Sequence, residues 1–157
     1  MSREEDPRAP SPGPGPRWRR WRSYVFEVAE ASMAPTFLPG DRIRVDPRAF
    51  RDRPPGPGDI VVLGDPERPG RRLLKRVLAG PGDSVFRDGD RFVAGTPGAA
   101  PPGELVVGPL EDAVFVIGDA PSESRDSRAF GPVALSEILG RPWFRTDPPG
   151  RRGPLGP

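Results

Sequence analysis

From Ser23 onward the apolar residues come in short runs, each closed by glycine, proline and aspartate. Runs of about four to eight residues bounded by turn formers read as strands. They predict strands near residues 23–28, 42–46, 59–63, 72–79, 84–87, 91–94, 104–107, 113–117 and 139–145. Turns are marked by Pro39-Gly40-Asp41, Pro57-Gly58-Asp59, Pro81-Gly82-Asp83 and Asp88-Gly89-Asp90. In the first three, proline presets φ at one corner and glycine tolerates a positive φ at the next. Helix is nearly absent, with one turn expected after Pro35 and one near residues 135–138. Many short strands at close spacing argue for an all-β fold, a sandwich or partly open barrel of short antiparallel strands.

The ends of the chain break this pattern. Residues 1–16 and 147–157 are rich in proline, glycine and charge and poor in apolar side chains, and both are expected to be disordered. Just ahead of the first strand, Trp18-Arg19-Arg20-Trp21-Arg22 alternates indoles with guanidinium groups. Such a stretch fits an anionic membrane interface, and equally a strand edge whose tryptophans cap a core. The expected organisation is an N-terminal tail over residues 1–22, one folded domain over 23–146 and a C-terminal tail over 147–157. A chain of 157 residues suits one such domain. No run approaches the roughly 18 to 20 apolar residues of a membrane span, and no apolar segment follows Met1 as in a signal peptide.

Composition sharpens the picture. The 25 prolines and 20 glycines favour turns over long helices. A net charge of +2, with arginines interleaved among aspartates, gives no basic stripe, so nucleic acid is not an expected partner. There is no cysteine, hence no disulfide frame and no thiolate chemistry. There is no histidine either, so neither a Ser-His-Asp triad nor a histidine metal site can be built; no metal or other cofactor is expected. Lys75 is the one lysine among 24 basic residues. An ammonium loses its proton when desolvated and arginine does not, so Lys75 is the side chain that burial could turn into a base. It lies in the apolar stretch Leu73-Leu74-Lys75-Arg76-Val77; a coding bias toward arginine would also leave one lysine by chance. A serine needs such a base to become a nucleophile. Ser32, where a strand ends and Pro35 forces a turn, is the candidate, although a serine before a turn is more often a cap.

Four segments in order resemble the boxes of the type I signal peptidases, a family of Ser-Lys proteases. Ser32-Met33-Ala34-Pro35-Thr36-Phe37-Leu38-Pro39-Gly40-Asp41 is similar to the nucleophile box, and Gly58-Asp59-Ile60-Val61-Val62 to the next. Leu74-Lys75-Arg76-Val77, continued by Pro81-Gly82-Asp83, looks like the box of the general base. Gly118-Asp119 with Ser124-Arg125-Asp126-Ser127-Arg128 and Gly131 resembles the last. The resemblance spans about residues 24–145. It implies Ser32 as nucleophile, Lys75 as general base and Ser124 as a hydroxyl that hydrogen-bonds the lysine. Asp126 and Arg128 match a pair that braces the loop, although such a pair also occurs as an ordinary surface ion pair. Phe26, Val28, Met33 and Leu74 fall where the family lines shallow pockets for small side chains, positions that ordinary core would fill equally well. The implied substrates are precursors with Ala-x-Ala sites, cleaved through an acyl-enzyme. The implied location is the extracytoplasmic face of a membrane, and the Trp18 to Arg22 stretch adds an anionic surface as a candidate partner; without a spanning run in the sequence, a soluble cytoplasmic protein is the other reading.

The departures are informative. Arg17 to Arg22 stand where the family usually has a membrane helix, Glu30 where many members carry serine or glycine, Ala31 where glycine or aspartate is frequent, and Ala120 where asparagine is usual. The stretch from Asp83 to Gly118 is too short for the large accessory β domain of some members. A soluble protease for one dedicated precursor, or an inactive β module that binds peptides by strand addition, are the alternatives.

Overall fold

The structure, a computed structural model, describes residues 23–156; the expected N-terminal tail and the Trp18 to Arg22 stretch lie outside them. The described residues form eleven strands: β1 (Tyr24–Glu27), β2 (Arg42–Asp46), β3 (Ile60–Gly64), β4 (Arg72–Ala79), β5 (Ser84–Asp88), β6 (Arg91–Gly95), β7 (Glu104–Val107), β8 (Ala113–Ile117), β9 (Val133–Ala134), β10 (Ile138–Asp147) and β11 (Gly153–Pro154). The main sheet has the order β1-β2-β10-β3-β4-β8-β9, with β11 added to β10. Its strands are antiparallel and it curls into a half-barrel, the all-β, partly open form expected from the sequence. β10 makes the curl, pairing with β3 through Ile138 and Gly140 and with β2 from Arg141 onward. A second sheet of three strands, β6-β5-β7, packs on β8, where Phe92 stacks on Phe115 at 5.9 Å.

Three turns in this fold are built alike. In Leu38-Pro39-Gly40-Asp41, Gly56-Pro57-Gly58-Asp59 and Gly80-Pro81-Gly82-Asp83, the aspartate N–H donates to the carbonyl three residues back at 3.0 Å. Its carboxylate accepts from the N–H of that same first residue at 2.9 to 3.0 Å. The glycines have φ of +91°, +90° and +91°, the left-handed corner that a type II turn requires. The Pro-Gly-Asp signature therefore closes the same hydrogen-bonded ring each time.

β3 and β4 read as near-continuous apolar runs because both faces of this part of the sheet are covered. Val62 and Leu74 join Val28, Met33, Phe37, Ile43 and Val45 on one side. Val61, Leu63, Leu73 and Val77 join Val114, Val116 and Val133 on the other. Side chains alternate along a strand, so Lys75 shares its face with Leu73 and Val77.

Two expectations are corrected. The helical turn at the first motif runs from Ala31 to Met33, before Pro35, because proline drives the preceding residue out of the helical region; Ala34 is extended, at φ −65° and ψ 145°. The segment after Asp147 is ordered: Pro149–Arg151 form a 3-10 turn, β11 pairs with Phe144 and Arg145, and Leu155 N–H donates to the Trp143 carbonyl. Composition underrates this segment because an ion pair to a distant buried aspartate holds it, as described below. Short helical pieces at Pro121–Glu123 and α1 (Ser127–Phe130) are additions to the expected elements.

Candidate active site

β1 delivers the chain to the 3-10 turn Ala31–Met33, which packs against β4. Met33 anchors the turn in the core, and Ser32 beside it is 5% exposed. The Ser32 carbonyl accepts a hydrogen bond from Ala120 N–H at 2.9 Å, tying the turn to the loop after β8. Lys75, in the middle of β4, is 1% exposed and stands opposite Val61 in register. Its Nζ donates to Ser124 Oγ at 3.1 Å, and that hydroxyl donates to Asp126 Oδ2 at 2.6 Å. Burial pushes the Lys75 amine below its ordinary range; Asp126 opposes this, Arg71 and Arg128 reinforce it, and Asp65 opposes it.

Gly118 is the point where these parts meet. A side chain on it would put a Cβ 2.2 Å from Ser124 Oγ and 2.5 Å from the Ser32 carbonyl oxygen. The backbone of Ser32 and the hydroxyl that holds Lys75 therefore both press on one Cα. Only a residue without a side chain permits that approach.

Asp126 organises the loop. Its carboxylate accepts from Arg128 Nε and Nη2 at 2.8 and 2.9 Å, from Gly118 N–H at 2.9 Å and from Arg128 N–H at 3.2 Å, in addition to Ser124. Burial alone would raise its pKa, but Arg128, Ser124 and the backbone donors outweigh that and hold it below the usual carboxylate range. Asp126 is thus buried and bonded on both oxygens, while its partner Arg128 stays partly exposed.

A second network, without an assigned role in the sequence, locks the turn from the other side. Asp119 accepts two bonds from Arg76, at 2.8 and 2.9 Å, and one from Thr36 Oγ1 at 2.6 Å. Arg76 also donates to the Gly58 carbonyl. Behind Thr36, Arg145 Nη2 and Arg151 Nη2 donate to its carbonyl at 2.6 and 3.3 Å. Arg151 Nη1 bonds both oxygens of Asp41, which is 2% exposed. Arg145 Nε lies 3.3 Å from Asp41 without hydrogen-bond geometry. Pairings over such sequence distances leave no local signal.

Phe26, Val28, Met33 and Leu74 all line one cavity of about 260 Å³, together with Ser32, and Glu30 and Arg71 stand at its wall. Glu30 pairs with Arg71 and is half-exposed. The lining thus mixes apolar side chains with charged ones around the buried Ser32, and the buried Lys75 follows its wall residue Leu74 in β4. Such an arrangement can activate a hydroxyl against an extended peptide.

The model of the family described as signal peptidase, peptidase S26, matches residues 20–100 and 109–146. The chain belongs to that family. As a signal peptidase family member it is a serine endopeptidase. It is 39% identical to the mitochondrial ATP-independent inner membrane protease subunit 1b of Arabidopsis thaliana, covering 80% of this chain and 71% of the relative. With the probable signal peptidase I-1 of Synechocystis it shares 34% identity over 86% and 78% of the two chains. With signal peptidase I of Leptolyngbya laminosa the figure is 32% over 87% and 76%. Among the described residues of this family member, no helix is long and apolar enough to cross a membrane.

Proposed function

We propose that this peptidase removes signal peptides from precursor proteins through a Ser32-Lys75 dyad. Neutral Lys75 takes the Ser32 hydroxyl proton as Oγ attacks the scissile carbonyl, and the Ser32 N–H receives the oxyanion. The amine then passes its proton to the leaving peptide nitrogen, and it later activates the water that hydrolyses the acyl-enzyme. The observation that carries this reading is the burial of the chain's one lysine, hydrogen-bonded to Ser124 on a loop that also grips the Ser32 carbonyl. Ser124 and Asp126 hold the amine in place, and Arg128 holds Asp126. The small cavity bounded by Phe26, Val28, Met33 and Leu74 suits Ala-x-Ala sites, because a shallow apolar pocket rejects bulk by collision.

Purified Ser32→Ala should abolish cleavage of an Ala-x-Ala precursor at the wild-type melt; Lys75→Arg should abolish it as well, at a lower melt, since it buries a larger guanidinium that stays charged and cannot act as a neutral base. Substantial activity in Lys75→Arg sinks the dyad. The site of action is proposed to be a membrane surface, reached through Trp18 to Arg22. Binding to anionic vesicles at low salt, lost in Trp18→Ser with Trp21→Ser, tests it; a wild-type chain that ignores vesicles yet cleaves one soluble partner favours a dedicated processing protease.

A further inference from the structure

Glu30 precedes the turn that carries Ser32, in the N-cap position. Short acceptors such as aspartate and serine at this position ordinarily accept from the N–H groups of the turn, and a glutamate carboxylate that folds back is an acceptor of the same kind. Here it makes no such bond. The turn's own hydrogen bond runs from Ala34 N–H to the Ala31 carbonyl, which leaves the N–H groups of Ser32 and Met33 outside it. A carboxylate that capped them would occupy the place where an oxyanion must sit. The Glu30 carboxylate is instead engaged by Arg71.

Arg71 is well fixed for this. It closes the turn into β4, its carbonyl accepting from Asp65 N–H at 2.8 Å and its N–H donating to Arg68 at 3.1 Å. Its Nε lies 3.8 Å from Asp65 Oδ2, so the guanidinium is held by two carboxylates, Glu30 and Asp65. Neighbouring cations are engaged elsewhere. The Arg125 guanidinium takes both oxygens of Glu67 at 2.6 Å, and Arg72 lies over the Tyr24 ring at 5.3 Å.

We propose that Arg71 is a positioning residue for the peptidase reaction, holding the Glu30 carboxylate so that it does not cap the Ser32 N–H and exclude the oxyanion. The inference rests on the dyad reading of the site. Without Arg71, Glu30 becomes an internal competitor for the oxyanion position, and its charge opposes the charge that develops there. The effect falls on kcat, since the contact at stake forms only as the oxyanion does.

The test is a double-mutant cycle on the full chain with a soluble Ala-x-Ala peptide. Arg71→Ala should lower kcat on the order of tenfold or more with KM within about twofold. The same substitution made in a Glu30→Ala background should lower it less than about twofold, because the competing carboxylate is gone. Equal losses in both backgrounds overturn the proposal, as does an unchanged kcat in Arg71→Ala. Arg71→Gln, with a urea melt for each variant, repeats the cycle should the alanine variant fold poorly. Ser32→Ala run alongside separates the two readings. If it stays active, the dyad is at fault; if it is dead while Arg71→Ala turns over like the wild type, this inference alone fails.

Discussion

Asp126→Asn replaces a buried carboxylate by an amide of nearly the same shape, and it isolates what the charge does at this site. The native carboxylate accepts Arg128 Nε and N–H on one oxygen, and Arg128 Nη2, Gly118 N–H and the Ser124 hydroxyl on the other. Whichever way the amide sits, at least two N–H donors meet an NH2 group. At about 1.5 kcal/mol for each buried donor left unsatisfied, the loss is about 3 kcal/mol. The Arg128 guanidinium also loses its counter-charge, which makes this a lower figure. For a domain of this size the melting temperature should fall by about 10 °C. The pH dependence has a definite sign. Asp126 has a folded-state pKa held below the ordinary range, so its stabilisation is full above the unfolded carboxyl value of about 3.9. That stabilisation is lost as pH falls through the folded value. The gap between the two proteins should therefore narrow in acid below about pH 4. Urea melts of both proteins at pH 7 and in acid measure it. A destabilisation below about 1 kcal/mol at pH 7, or a gap that widens in acid, refutes the reasoning.

Gly118→Ala should fold yet lose at least tenfold in kcat, because its Cβ meets the Ser32 carbonyl oxygen at 2.5 Å and Ser124 Oγ at 2.2 Å, and the contacts to be displaced are those that hold the two halves of the proposed dyad; full activity in a soluble preparation contradicts this placement. Arg151→Ala removes two bonds to buried Asp41 and one to the Thr36 carbonyl, and should destabilise by about 2 kcal/mol in urea while its activity falls less than that of Gly118→Ala. Cleavage by the wild type should rise with pH through an apparent pKa below the ordinary lysine value of about 10.5, since burial favours the neutral amine; a rate flat from acid to alkaline pH removes Lys75 as the base.

Most strands were legible because a strand is a local object. Arg72–Ala79 and Ala113–Ile117 coincide with the expected spans, since an apolar run between turn formers needs no partner to be recognised. The Pro-Gly-Asp turns were legible for the same reason, each closing on itself within four residues. Local rules failed at Pro35, where the constraint on Ala34 put the helical turn on the other side. They failed again after Asp147, where composition pointed to disorder and Arg151 found Asp41.

Residue chemistry and order, as they stand in the chain, already decided that Lys75 is the one side-chain amine that burial could neutralise, that no imidazole can serve in its place, and that Ser32 precedes a turn forced by Pro35. What they could not decide is which distant groups share a volume. Ser124 reaches Lys75 across 49 positions, Asp119 reaches Arg76 across 43, and Arg71 reaches Glu30 across 41. Each of these contacts depends on the order in which strands pair and on the curl that brings the loop after β8 over the Ser32 turn. Charges separated this far in sequence interact only through the small distance that folding creates, and that distance belongs to the whole sheet and to no segment of it.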